Sequence, residues 1–250
     1  MKSLAIVGGT GIDELDGLEV LQDHNVQTPF GEPSRAIQEG RLGEASIYFL
    51  QRHGSPGAIP PHKINYRANL WALKSLGVGT IVAINTVGGI SQFMRPGRLL
   101  VPDQVIDYTW GREHSFDDGK GGELMHIDFT EPYDRELRLD LLAAANASGI
   151  PHEPCGVHGV TQGPRLETSA EIQRMARDGC DVVGMTGMPE ASLARELGIA
   201  YACVCMVVNP AAGIGDLPLT ITAMREILVR EAAVVRQLLS ELLRNRQHSG

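Results

Sequence analysis

The sequence predicts an α/β fold organised on a parallel sheet, and three observations predict it. Apolar runs of strand length recur along the 250 residues, separated by segments with helical spacing. Residues 181–209 read as strand, helix, strand, and two wholly apolar strands joined by a helix imply parallel pairing. Strand after strand ends in a polar or glycine cluster, at the carboxyl edge where open α/β sheets gather ligands.

Residues 181–209 are the stretch the rest is organised around. Residues 181–185 form a short apolar run, broken by Thr186 and Gly187. Pro189 suits a first helical position, Glu190 meets the positive end of a helix dipole, and Gly198 suits a C-terminal stop. Residues 201–208 are too apolar for a half-exposed strand. Met185, Thr186 and Asn209 then face one crevice.

In chain order, residues 3–7 form the first strand, followed by Gly8-Gly9-Thr10-Gly11. That turn either presents backbone N–H groups to an anion or is simply tight. No lysine completes a Walker motif, and Glu14 stands where a dinucleotide fingerprint needs glycine. Residues 45–50 form a strand ending at Arg52 and His53, an anion-binding pair or an ordinary surface pair. Residues 60–76 read as a helix, residues 80–84 as a strand ending in Asn85-Thr86-Val87-Gly88-Gly89, and residues 99–106 as another strand. Residues 112–123 form a polar, glycine-rich loop. A helix spans residues 135–148, a strand 157–162, and Thr168 with Glu171 forms a capping box for the next helix. Residues 218–244 close the chain as a long amphipathic helix.

The chain is 43% hydrophobic, enough for a large core, and no stretch reads as a linker, so one unit over residues 1–250 is expected. A net charge of −8 without a basic run argues against nucleic acid or an acidic membrane as partner. No apolar run approaches spanning length and no signal peptide precedes the first strand, so a cytoplasmic protein is expected. Cys155, Cys180, Cys203 and Cys205 show no metal spacing, and no metal is expected; Cys203 and Cys205 share a strand face as inert core residues. His62, His114, His152 and His158 read as structural.

Six strand ends carry Thr10, Arg52-His53, Thr86-Gly88, Glu167, Met185-Thr186 and Asn209. Thr10, Arg52, His53, Thr86 and Thr186 together suit a phosphate-like anion, and Glu167 with Asn209 suits a heterocycle edge.

These motifs converge on a family. GGTGI (8–12), QRHG (51–54), HKINYRANLWALKSLG (62–77), NTVGGI (85–90), PGRLLVPDQVID (96–107), HIDFTEPY (126–133), GPRLETSAEI (163–172) and GMTGMPEASLARELGIAYACV (184–204) follow one another in family order. The chain resembles the trimeric purine nucleoside phosphorylases, above all their 5′-methylthioadenosine phosphorylase branch. The resemblance implies a single-domain α/β nucleoside-phosphorylase fold whose mixed central sheet partly closes into a barrel flanked by helices. It implies a homotrimer that cleaves a nucleoside with inorganic phosphate as co-substrate and without a cofactor. By motif match, Thr10, Arg52, His53, Thr86 and Thr186 resemble phosphate ligands. Met185 resembles the methionine under the ribose, near Asn65 and Tyr66. Gly184 belongs to the same motif. Val87, Gly88 and Leu166 resemble the base-pocket wall, with Leu166 in place of the usual phenylalanine. His126 resembles a residue lent to the neighbouring subunit's site.

Adenine-specific members carry a D-x-D pair after the last core strand; here Asn209 and Ala211 stand there. Glu167 stands where 6-oxopurine phosphorylases place a glutamate. A carboxylate accepts the N1–H of a 6-oxopurine and an amide N–H serves O6, whereas adenine offers N1 as an acceptor and would leave polar groups unpaired. Asn209 and Glu167 are therefore the expected catalytic pair. No histidine lies between Asn209 and His248 to meet a 5′-hydroxyl, and Ile221 and Met224 match the apolar segment of a methylthio pocket. Base edge and 5′ pocket together point to 5′-methylthioinosine. A methylthioadenosine phosphorylase, a general inosine/guanosine phosphorylase and a non-catalytic nucleotide binder are the alternatives.

Overall fold

In β1 (Ser3–Gly8), Leu4 and Ile6 join one hydrophobic cluster while Ala5 and Val7 join another. The same alternation recurs in β4 (Ala45–Gln51), with Ile47 and Phe49 against Leu50. In β5 (Val78–Gly89) it separates Val82 and Ile84 from Ile81 and Ala83. Side chains of a strand alternate in direction, so a sheet apolar on both faces must be covered on both. The cover on one face is α1 (Tyr66–Ser75) and α4 (Glu190–Glu196), and on the other α2 (Arg135–Ala147) and α5 (Ile221–His248). Val235, Leu238, Leu239 and Leu242 of α5 are fully buried, each contributing about 1.5–3 kcal/mol.

The computed structural model describes residues 3–12, 15, 17–55, 58–120, 126–215 and 221–248, without the side chains of residues 221–226 and 248. The remaining strands are β2 (Leu18–His24), β3 (Ile37–Leu42), β6 (Leu99–Leu100), β7 (Gln104–Asp107), β8 (His152–Glu153), β9 (Val157–Val160), β10 (Val182–Gly184) and β11 (Ala200–Pro210). The last helix to name is α3 (Ser169–Arg177). The strands form one mixed eleven-stranded sheet running β2-β3-β4-β1-β5-β10-β9-β7, with β11 on β5 and β6, and β8 on β6.

Several sequence expectations change. β10 and β11 are not a parallel pair: β10 meets β5 antiparallel and β11 meets it parallel. The connecting α4 therefore links two strands of opposite sense, both hydrogen-bonded to the twelve-residue β5. The helix expected over residues 60–76 is a short 3₁₀ turn (Pro61–Lys63) followed by α1, because Asn65 caps α1 at Tyr66. The strand expected over residues 99–106 divides into β6 and β7 around Pro102. The meander of β2 and β3 was not expected: β2 is largely exposed and β3 is half polar, so neither shows an apolar run. The capping box on α3 is present as expected, with Thr168 and Glu171 bonding each other's backbone N–H.

Cys203 and Cys205 are buried on one face of β11, as expected. Their sulfurs lie 4.0 Å apart, and the Cys205 sulfur is 3.7 Å from Nδ1 of buried His158.

Candidate active site

The register of β5 builds the site. Its residues 86–88 lie opposite Met206, Val207 and Asn209 of β11, while Gly88 pairs with Val183 of β10. Earlier in β5, Val82 and Ala83 lie opposite Ile6 and Val7 of β1, so the turn after β1 emerges beside Thr86. A cavity of about 220 Å³ opens there, lined by residues from all these strand ends.

At one end stand Gly9, Thr10, His53, Thr86 and Thr186. Thr86 Oγ1 donates to the Thr10 carbonyl at 2.7 Å, tying the glycine turn to β5. His53 Nδ1 lies 2.8 Å from the Ile59 carbonyl, which only accepts, so Nδ1 carries a proton and the ring is oriented. Thr186 Oγ1 lies 3.3 Å from Asn85 Oδ1. A Cβ on Gly9 would stand 2.7 Å from the Ile84 carbonyl and 2.9 Å from Arg52 Nη1. Glycine is required there by close approach, and at Gly11 by a φ of +85°.

Arg52 sits one layer behind this end rather than in it. It is wholly buried, with Nε and Nη2 each donating at 2.7 Å to the Glu190 carboxylate and Nη1 at 3.2 Å to the Ile84 carbonyl. Burial disfavours the guanidinium charge, and Glu190 more than restores it. No lysine or arginine lines the cavity among the described residues.

At the other end, Val87, Gly88, Gly184, Met185, Leu166, Glu167 and Asn209 line the wall. The β11 ladder shifts register between Val207 and Asn209, and such a bulge re-aims the side chains beside it. Gly88 leaves room for that amide: a Cβ there would stand 3.2 Å from Asn209 Nδ2. Asn209 Nδ2 donates at 2.6 Å to the Pro210 carbonyl. Glu167 Oε1 accepts from Thr161 Oγ1 at 2.6 Å.

The structure thus brings Thr10, His53, Thr86, Thr186, Met185, Gly184, Val87, Gly88, Leu166, Glu167 and Asn209 to one cavity. Asn65 and Tyr66 do not line it. Asn65 caps α1 and donates to the Phe30 carbonyl at 2.7 Å. Tyr66 is buried, and its hydroxyl donates at 3.0 Å to the carbonyl of Pro61, which does line the cavity. His126 is exposed and does not line the cavity either. Ile221 and Met224 fall in the first turn of α5, with side chains outside the described residues.

Sequence reasoning missed Leu228, through which α5 reaches the cavity, and Thr161 beneath Glu167. Leu228 repeats at the helical interval of the other apolar residues of the closing helix, so its spacing does not set it apart. Thr161 is a hydroxyl one residue past the end of β9, which is the same signal that singled out Thr10. The loop expected over residues 112–123 is anchored by Arg112, which donates to the Thr161 and Gln162 carbonyls at 3.2 and 2.8 Å. Residues 121–123 lie outside the described residues.

A strand-end cavity that gathers hydroxyls, an imidazole, a carboxylate and an amide is the candidate active site of this α/β protein. The family model described as Phosphorylase superfamily matches residues 3–244, and the chain belongs to that family. It is 49% identical over 243 residues to the probable S-methyl-5′-thioinosine phosphorylase of Pseudomonas syringae pv. tomato, covering 97% of this chain and 99% of that protein. It is 43% identical over 244 residues to the 6-oxopurine nucleoside phosphorylase of Pyrococcus furiosus, covering 96% and 91%. Among solved structures, the methylthioadenosine phosphorylase from Schistosoma mansoni in complex with adenine superposes with a TM-score of 0.94 at 30% identity, over 99% of this chain and 93% of that one. The mixed α/β architecture expected from the family resemblance is therefore the one observed.

Proposed function

We propose that this chain phosphorolyses 5′-methylthioinosine to hypoxanthine and 5-methylthioribose 1-phosphate. The observation that carries the reading is that Glu167 and Asn209 line the same cavity, with Thr161 donating to the Glu167 carboxylate. A carboxylate whose neighbour donates to it is set as an acceptor, which suits the N1–H of a 6-oxopurine. The relatives named for methylthioinosine and for 6-oxopurine nucleosides support the same choice of base. Leu228 supplies an apolar side chain suited to a thioether.

Phosphate is the nucleophile. Thr10, His53, Thr86 and Thr186 hold it beneath C1′, turning a bimolecular encounter into positioned attack. The C1′–N9 bond breaks, a C1′–O bond to phosphate forms, and the departing purine takes up the proton that the hydrogen phosphate gives up, through solvent. Asn209 donates to the base as negative charge builds on it, and Glu167 holds the N1–H edge; both favour the departing base. Arg52 acts from behind Gly9 as an oriented cation rather than as a direct ligand. Met185 underlies the ribose, Val87, Gly88, Gly184 and Leu166 flank the base, and Ile221 and Met224 complete the methylthio pocket. Tyr66 supports Pro61 in the cavity lining, and Asn65 caps the helix that carries Tyr66. The reaction uses inorganic phosphate as co-substrate and calls on no cofactor. We read the chain as one domain, assembled as a cytoplasmic homotrimer in which His126 serves a neighbouring subunit. No helix among the described residues is long and apolar enough to cross a membrane.

The test is phosphorolysis of 5′-methylthioinosine, 5′-methylthioadenosine, inosine and adenosine, each with and without phosphate. Phosphate-dependent release of hypoxanthine, with the highest kcat/KM for methylthioinosine, is expected. A higher kcat/KM for methylthioadenosine overturns the base assignment, and one for inosine overturns the methylthio pocket.

A further inference from the structure

Glu167 lies on the wall between two cavities. The second, of about 470 Å³, is also lined by Thr161, Arg165, Glu171 and Arg174. A carboxylate there has two guanidinium groups as competing partners, one of them two residues away in the chain. Glu167 paired with Arg165 would present no settled acceptor to a ligand in the first cavity.

Both guanidinium groups are engaged elsewhere, and Glu167 is itself held from the other side. Arg165 is taken by Glu171 through two parallel hydrogen bonds of 2.8 Å, and Glu171 is itself fixed by the Thr168 backbone N–H at 2.7 Å. Arg174 lies over the Tyr108 ring at 5.5 Å and 3.6 Å from Asp178. From the other side, the Thr161 hydroxyl donates to Glu167 Oε1 at 2.6 Å. That hydroxyl has one hydrogen, and its other nearby acceptor, the Gly184 carbonyl, stands farther off at 3.3 Å.

We propose that Thr161 is a positioning residue that sets base selectivity. Its hydroxyl holds one oxygen of Glu167 at the cavity wall and leaves the other to accept the N1–H of a 6-oxopurine. The inference rests on the Glu167 role proposed above and deepens it. A 6-aminopurine has no hydrogen at N1, so its turnover does not depend on this hold.

The test compares Thr161→Val, which keeps the shape and removes the donor, with Thr161→Ser, which keeps the donor. A hydrogen bond to a charged group corresponds to a loss of about 10- to 100-fold. Thr161→Val is expected to lower kcat/KM for methylthioinosine by that factor and leave methylthioadenosine within about twofold, and Thr161→Ser to restore most of the loss. Thr161→Val added to Glu167→Gln should cost little beyond Glu167→Gln alone, because the two side chains act as one unit. Equal losses on both nucleosides, no loss on methylthioinosine, or failure of serine to rescue would overturn the proposal. Hypoxanthine binding by titration calorimetry reads the Thr161–Glu167 coupling whichever nucleoside the native enzyme prefers. Full additivity there overturns the positioning role, whereas a native preference for methylthioadenosine overturns the base assignment.

Discussion

Arg52 and Glu190, 138 residues apart in the chain, meet through two 2.7 Å hydrogen bonds with neither side chain exposed to solvent. Tyr201 adds a third donor to the same carboxylate at 2.9 Å. The pair joins the end of β4 to the first turn of α4, beneath the anion end of the cavity. Removing one partner of a buried pair strands the other, at about 3–5 kcal/mol. Glu190→Ala should therefore lower the unfolding free energy by about that amount in urea titration. A loss below about 1 kcal/mol would mean that water or another carboxylate reaches Arg52. Arg52→Lys should also destabilise, since an ammonium cannot fill both arms of the fork.

Gly9 controls how close the turn after β1 comes to Arg52. Gly9→Ala sets a methyl group against the Ile84 carbonyl, which is backbone and cannot swing aside. The turn must move outward, carrying Thr10 with it. A misplacement on the order of 1 Å costs on the order of 10²-fold in rate. Steady-state kinetics with phosphate as the varied substrate should show that loss in kcat/KM for phosphate. The ratio of methylthioinosine to methylthioadenosine turnover should stay unchanged, because the displaced groups are those proposed to hold phosphate, which both nucleosides share.

The polar clusters were legible because fully apolar runs stop abruptly at residues of distinct chemistry, as at Ile84 before Asn85 and Val208 before Asn209, but the strands do not end there: β5 runs on to Gly89 and β11 to Pro210, because ladder pairing and not apolarity sets their length. The capping box of α3 was legible because it is a contact between near neighbours. What escaped depended on distant partners. The opposite sense of β10 and β11 is set by where each meets β5, which no local pattern encodes. Asn65 and Arg52 carry the right chemistry for a ligand, yet one is spent on a helix end and the other on Glu190. Residue type alone cannot separate a ligand contact from the contact that supports it.

Glu171 makes the N-terminus of α3 sensitive to acid. Arg165 first, and then the Thr168 backbone N–H, hold its carboxyl down to about 2, against an ordinary value of 4.5. A depressed carboxylate contributes stability that is fully present above its unfolded pKa and is lost as the pH falls through its folded one. The window here runs from about pH 4.5 down to about pH 2. With the side chain 43% exposed, the contribution is on the order of 1 kcal/mol or less. Glu171→Gln should lower Tm at pH 6, and the gap from the native protein should close as the pH is brought to 2. A gap independent of pH would mean that the loss does not come from the carboxylate charge, and no gap at pH 6 would mean that glutamine serves as well as glutamate. The same substitution frees Arg165 to compete for Glu167, so methylthioinosine turnover should fall with it at neutral pH.

In the role proposed for it, Asn209 separates the two possible bases by the direction of one hydrogen bond. Its amide can give a hydrogen to O6 of hypoxanthine, while a carboxylate at the same position can only accept one, as the 6-amino group of adenine requires. Asn209→Ala removes the donor where charge gathers on the departing base, and such a donor is worth on the order of 10²- to 10³-fold in kcat. The loss should fall on kcat more than on KM for methylthioinosine, since the contact strengthens as the C1′–N9 bond breaks. Asn209→Asp should do more than lose activity. It sets acceptor against acceptor at O6 and rewards the amino group, so the ratio of methylthioadenosine to methylthioinosine kcat/KM should rise by at least about tenfold. The bulge beside Val208 fixes where this side chain projects, and aspartate is nearly isosteric with asparagine, so the pocket keeps its shape. If Asn209→Asp lowers both nucleosides alike, Asn209 acts on the backbone through its Pro210 contact and not on the base.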